Sequence, residues 1–190
     1  ERKDIVEGLP KALDSIFKNS LTPDQVLITI DGLVSNSFKK SLIKFQKKYS
    51  LELLWINEKV GLDKALNLGI EKSINEYIFR ADGDDINDIN RFKIQLPYLL
   101  KGHDLVGSYI DEYNETGQFI ATKKVPISYE SISRTITYRN PINHMTVGFK
   151  KSSIIEVGGY PELFLKGDYG LWIKLIAFKK KIINLNVSLV

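Results

Sequence analysis

Short β-branched runs alternate with helix-patterned stretches over the first hundred residues, and no other feature restricts the possible folds so strongly. Leu9, Ala12, Leu13, Ile16 and Phe17 recur at helical spacing, and residues 26–30 follow as a mostly apolar strand that stops at Asp31-Gly32. Phe38, Leu42, Phe45 and Tyr49 mark a second amphipathic helix, and residues 51–56 read as a second strand. Leu62, Ala65, Leu66, Ile70 and Ile74 mark a third helix, in which Ala65 and Gly69 lie four apart and let one side approach a neighbour closely. Residues 77–79 supply the next strand. Consecutive strands joined through helices run parallel, so the expected class is α/β, with a mostly parallel central sheet and helices on both faces.

The strand at 77–79 ends in Asp82, Asp84 and Asp85, with Gly83 allowing a tight turn between them. Like charges this close repel one another. A solvated acidic turn explains them, and so does a site for a hard divalent cation at the carboxyl end of a sheet strand, where open α/β sheets keep their ligands. Asp31 ends another strand, which brings four carboxylates to one sheet edge in a parallel arrangement. Mg²⁺ or Mn²⁺ suits such oxygen donors, with substrate phosphates completing the shell. Asp31 stands alone and is not expected to touch metal. It suits the N–H of a base or a ribose hydroxyl, or serves only an Asp-Gly turn. No P-loop and no Gly-x-Gly-x-x-Gly follows a strand, so a metal-bridged diphosphate is the natural alternative. An EF-hand loop beginning at Asp82 would need Glu where Lys93 stands.

Beyond residue 100 the rhythm changes. Residues 104–113 and 118–122 read as a hairpin around Gly117, residues 131–138 as a helix, and residues 143–149 as a strand. Ser152 or Ser153 is placed to cap a short helix ending at Gly158-Gly159. Leu171, Trp172, Leu175 and Ile176 mark a last helix preceded by Asp168, which suits either an N-cap or a general base for a hydroxyl nucleophile. His144 reads as a hydrogen-bonded core residue or a ligand, and His103 as surface. No serine sits on a nucleophile elbow.

The 190 residues suit one domain, and the net charge of +4 is spread over separate lysine pairs. Dispersed lysines describe a solvated surface or a basic face toward anionic membrane or phosphate, and they argue against nucleic acid as a partner. Cysteine is absent, which removes disulfide and thiol chemistry and suits a reducing compartment. No apolar run approaches the roughly 20 residues that span a bilayer. The chain opens without Met and ends on an apolar run, as a piece of a longer polypeptide would.

Taken in order, Asp31-Gly32, the run 61–67, the run 80–85, and Arg91-Phe92 resemble the family 2 glycosyltransferases with a GT-A fold. The runs 139–147, 158–160 and 168–172 resemble the subgroup that builds bacterial exopolysaccharide and capsule repeats, of the amylovoran-biosynthesis type. That resemblance implies a single catalytic domain over 1–190, with a nucleotide-sugar-binding half at 1–100 and an acceptor-binding half at 101–190. It implies inverting transfer from a nucleotide sugar, a UDP-sugar above all, to a glycan or lipid-linked glycan acceptor, with Mn²⁺ or Mg²⁺ holding the diphosphate. Asp82-Gly83-Asp84 matches the family's Asp-x-Asp motif, with Asp84 as metal ligand, Asp82 contacting ribose or metal, and Asp85 in support. Asp31 matches the carboxylate that reads uracil, Asp168 the catalytic base, and Lys64, Asn67 and Arg80 the donor pocket; His144 falls near the diphosphate or acceptor. The expected location is the cytoplasm, at the inner face of the membrane.

Two departures stand out. The family's Glu-Asp pair before the last helix is Gly167-Asp168 here, and the sequence starts after the family's first strand and its nucleotide-gripping loop. A binding module without turnover is therefore the alternative function. A nucleotidyltransferase shares the frame but would want a glycine-rich basic loop that this sequence does not show.

Overall fold

A computed structural model of the chain describes residues 3–163 and 166–190. Helix α1 (Lys3–Phe17) leads into strand β1 (Leu27–Asp31), helix α2 (Asn36–Tyr49), strand β2 (Glu52–Ile56), helix α3 (Leu62–Lys72) and strand β3 (Tyr77–Phe79). Helix α4 (Arg91–Leu100) precedes the hairpin β4 (Leu105–Tyr113) and β5 (Phe119–Lys123), with Gly117 at φ +79° in its turn. Then come helix α5 (Tyr129–Thr135), a 3₁₀ turn (His144–Thr146), strand β6 (Gly148–Lys150), helix α6 (Lys151–Glu156), helix α7 (Gly167–Ala177) and strand β7 (Ile182–Ser188).

The strands form a parallel pair, β1–β2, and a second sheet in which β3, β6, β4 and β5 lie in that order with β7 also on β4. Pairing with β7 is parallel, while β3–β6, β6–β4 and β4–β5 are antiparallel. The α/β frame is as expected, but the sheet is mixed: β3 takes β6 rather than β1 as its hydrogen-bonded neighbour. Strand alternation divides the larger core. Leu105, Phe149, Ile182 and Ile78 face α7, α5 and α6 on one side of this sheet, whereas Val106, Ile183, Tyr77 and Phe79 face α4 on the other. A separate cluster, including Leu9, Leu13, Ile30 and Leu42, joins α1 and α2 to the β1–β2 pair.

Helix α3 bridges these bodies. Ile70 packs into the larger core, while a Cβ at Gly69 would stand 2.9 Å from Thr29 Oγ1 on β1. The small face expected of α3 is thus used for close approach.

Three local expectations change. Residues 143–149 are not one strand: Asn143 and Thr146 draw the chain into a 3₁₀ turn, with Thr146 Oγ1 donating to Asn143 O at 2.8 Å, and β6 begins only at Gly148. Neither Ser152 nor Ser153 caps α6; Lys150 does, without a side-chain bond, and Ser153 instead donates to Asp104 at 2.6 Å. Strand β7 falls in the final apolar run, which carried no strand assignment in the sequence reading. Its buried Asn184 donates to Pro126 O and Pro141 O, tying the strand to two loops.

Candidate active site

The acidic turn leaves β3 directly. Asp82, Asp84 and Asp85 each offer a carboxylate oxygen, and these atoms all lie within 4.8 Å of one another. Burial first, and then the charges of Asp82 and Asp84, push Asp85 up to about 6. Arg80 pairs with Asp82 at 2.5 Å. Oxygen donors converging at this distance, with one of them reluctant to ionise, fit a hard divalent cation, which would relieve the repulsion among them. Asp85 thus stands with Asp82 and Asp84 rather than behind them.

Two elements hold this turn. Helix α1 runs against it so closely that a Cβ at Gly8 would stand 2.9 Å from Asp84 Cα. From the other side comes Arg91, fully buried at the start of α4. Its Nη2 donates to Arg80 O at 2.7 Å and its Nε to Gln95 Oε1 at 3.0 Å, and Nη1 bonds Asn87. Gln95 Nε2 in turn donates to Thr146 O at 2.8 Å and Val106 O at 3.1 Å. Desolvation lowers the Arg91 pKa to about 9, so it still carries its charge at neutral pH. The sequence signal for this clamp was its place in the run Arg91-Phe92, which gave no hint of burial. Arg91→Ala is expected to destabilise the fold by roughly 3 kcal/mol or more, since several buried acceptors lose their donor together. A urea denaturation curve checks this.

A second carboxylate position is built around Asp168. It lies in the first turn of α7 but does not cap the helix, since Lys166 holds the N-cap position. Instead Asn140 Nδ2 donates to Asp168 Oδ2 at 2.7 Å. A cavity of about 280 Å³ opens here, lined by Tyr138, Arg139, Asn140, Lys166, Asp168 and Tyr169. The carboxylate therefore faces a space large enough for part of a sugar.

Between the two sides sit His144 and Tyr160. His144 Nε2 lies 2.9 Å from the Tyr160 hydroxyl, and its ring packs edge-on to Trp172. Burial first, and Arg80 second, push His144 down to about 2, so the imidazole is neutral at physiological pH. Burial raises the Tyr160 hydroxyl; the charge of Arg80 works against this, and those of Asp168, Asp63 and Asp82 add to it.

Of three residues expected at the donor, two are held by backbone and one by an ion pair. Asp31 accepts from Val60 N at 2.7 Å and Gly61 N at 3.0 Å, fixing the loop into α3. The amide of Asn67 brackets Tyr160, accepting from its N–H at 2.8 Å and donating to its carbonyl at 2.9 Å. Arg80 is drawn onto Asp82. Lys64 is exposed on α3. Sequence reasoning singled out neither Asn140, the Tyr160 hydroxyl nor Asp63, although each lies in one of the family-like runs; their contacts with Asp168, His144 and Gly167 appear only in the fold.

Comparison with known proteins settles the family. The model of "Glycosyl transferase family 2" matches residues 6–158. The chain belongs to the family 2 glycosyltransferases. It is 36% identical over 178 residues to the UDP-Gal:α-D-GlcNAc-diphosphoundecaprenol β-1,3-galactosyltransferase of Escherichia coli, covering 92% of this chain and 64% of that one. It is 31% identical to the amylovoran biosynthesis glycosyltransferase AmsE of Erwinia amylovora, covering 96% of this chain and 69% of that one. The chain thus spans about two thirds of the length of these curated relatives. In fold it is similar to S. aureus TarS 1-349, with a TM-score of 0.73 at 16% identity over 99% of this chain and 57% of that one. It is also similar to the mannosyltransferase PcManGT from Pyrobaculum calidifontis in complex with GDP-Man and Mn²⁺, with a TM-score of 0.70 at 15% identity over 95% and 51% of the two chains. The GT-A fold accounts for these likenesses. As a family 2 glycosyltransferase, the chain resembles proteins of bacterial polysaccharide biosynthesis. Among the described residues no helix is long and apolar enough to cross a membrane.

Proposed function

We propose that the protein carrying this chain transfers a sugar, with inversion, from a UDP-sugar to a hydroxyl of a lipid-linked glycan in the assembly of a bacterial surface polysaccharide. The observation that carries this is that the charges of two carboxylate positions both reach the buried Tyr160 hydroxyl: Asp82 in the converging acidic turn and Asp168 beside an open cavity. The relative in Escherichia coli acts on UDP-Gal and a GlcNAc-diphosphoundecaprenol, which supports the donor and acceptor classes.

In this reading residues 1–100 hold the donor and residues 101–190 the acceptor. Asp84 and Asp82, with Asp85, would hold Mn²⁺ or Mg²⁺, which supplies positive charge to a departing nucleoside diphosphate. Arg80 orients Asp82, and Arg91 fixes the backbone from which both project. Asp31 lies on the uridine side, where its carboxylate keeps lone pairs beyond those used by Val60 and Gly61. Asp168 takes the proton of the attacking hydroxyl through the oxygen that Asn140 does not hold. The new bond forms between that hydroxyl oxygen and the anomeric carbon as the bond from that carbon to the diphosphate breaks. Work at the inner membrane face follows from a lipid-linked acceptor, with scattered lysines as the contact.

A thermal-shift panel of UDP, GDP and ADP, each with and without Mn²⁺, tests the donor site. The expected result is a rise in melting temperature with UDP that requires the metal. A flat panel would remove the donor assignment. Turnover is then read with UDP-sugars and a GlcNAc-diphosphate-lipid; binding without transfer from any UDP-sugar would leave a nucleotide-sugar-binding module.

A further inference from the structure

Asp63 lies in the first turn of α3, a half-buried carboxylate whose Oδ2 accepts from Leu163 N at 3.1 Å. Its carboxyl group fills the space in which a Cβ on Gly167 would have to stand. The aspartate of one helix and the glycine opening another are therefore complementary in shape, and Asp168 is the next residue along the chain. Among the described residues no lysine or arginine lies within ion-pair distance of Asp63. Burial raises its pKa most, and the charges of Asp168 and Glu162 add to this against the one hydrogen bond from Leu163.

A partly desolvated carboxylate that has, among the described residues, one neutral donor and no cation within ion-pair distance, and that feels the charge of a second carboxylate, costs the folded chain free energy. Hydroxyl donors would offset that cost, because hydrogen bonds to charged acceptors are the stronger kind. A sugar acceptor brings several hydroxyls to this place together. We propose that Asp63 is an acceptor-binding residue: α3 supplies the second carboxylate of the site, which accepts a hydrogen bond from a sugar hydroxyl neighbouring the one that Asp168 deprotonates. The carboxylate that position 167 lacks is thereby delivered from another helix. This assignment rests on the transferase reading above.

The test uses the full protein with a UDP-sugar donor and a GlcNAc-diphosphate-lipid as probe acceptor. Asp63→Asn is expected to raise the acceptor KM by about tenfold or more, the loss of one charged hydrogen bond, while the donor KM stays within about twofold. Gly167→Glu alone is expected to lower both melting temperature and acceptor affinity, because the new side chain meets Asp63. Combining Gly167→Glu with Asp63→Gly moves the carboxylate across the same contact and is expected to recover both. An unchanged acceptor KM in Asp63→Asn, or equal rises in donor and acceptor KM, would overturn the proposal. So would a double variant that regains its melting temperature but not its acceptor affinity. Absence of transfer by the unmodified protein from every UDP-sugar would instead sink the transferase reading, and the assignment with it. The melting temperatures of the swap still report separately whether positions 63 and 167 compete for one space.

Discussion

Asp168→Asn is expected to lower sugar transfer by about 100- to 10,000-fold, the range that removal of a positioned general base produces. The substitution keeps the shape of the side chain and its place in the first turn of α7, so UDP binding with Mn²⁺ is expected to be unchanged. The contact with Asn140 distinguishes this carboxylate from an ordinary surface acid: one oxygen is held at 2.7 Å, and the residue lines a cavity. Transfer rates and UDP-dependent melting temperatures, measured on the same preparation, check the prediction. Transfer retained within threefold would mean that another group takes the proton.

Asp84→Ala should act at the opposite end. Removing one of three converging carboxylates is expected to abolish the Mn²⁺ dependence of the UDP thermal shift and to lower kcat/KM on the order of 100-fold or more. That size follows from the several kcal/mol that a bound cation contributes to charge stabilisation at a leaving group. Taking away one of three mutually repelling charges should also lower the Asp85 pKa, which burial first and then Asp82 and Asp84 push up to about 6. Stripping the unmodified protein with EDTA should reproduce the functional loss, and restoring Mn²⁺ should reverse it. An Asp84→Ala protein that still needs metal for UDP binding would move the ligand set elsewhere.

These two carboxylate positions were legible in the sequence for different reasons. The acidic turn announces itself because three acids at a strand end have no stabilising purpose within the strand. Asp168 was readable as cap or base; Lys166 takes the N-cap position, and the base is the role proposed for Asp168 beside Asn140 and the cavity. The helices α1, α2 and α3 were legible from periodicity because each buries one stripe. The 3₁₀ turn at His144–Thr146 was not, since the alternation of residues 143–149 fits a strand, and what breaks it is the Thr146 hydroxyl returning to Asn143. Least visible of all were the residues that act by complementarity. Asp63 and Gly167 are more than a hundred positions apart, and neither pattern nor charge density connects them. Asn67, Asp31 and Arg80 show the converse: the motif marks where they are, while their backbone and ion-pair partners show what each holds in place.

The division between the β1–β2 pair and the larger sheet has a consequence for motion. The smaller body has its own apolar cluster, and its strands share no ladder with β3. Backbone amides on β1 and β2 are therefore protected by a two-stranded ladder and by α1, α2 and the close approach of α3. Those on β4 are protected on both edges, in a sheet with helices packed against each face. Hydrogen exchange should separate the two, with the β1–β2 body opening as its own cooperative unit and β4 exchanging last. Asp31 rides on the faster unit and Asp82 on the slower, so the wall assigned to uridine can breathe while the acidic turn stays fixed. A nucleotide that stills the first without altering the second would leave its imprint in exchange rates rather than in shape.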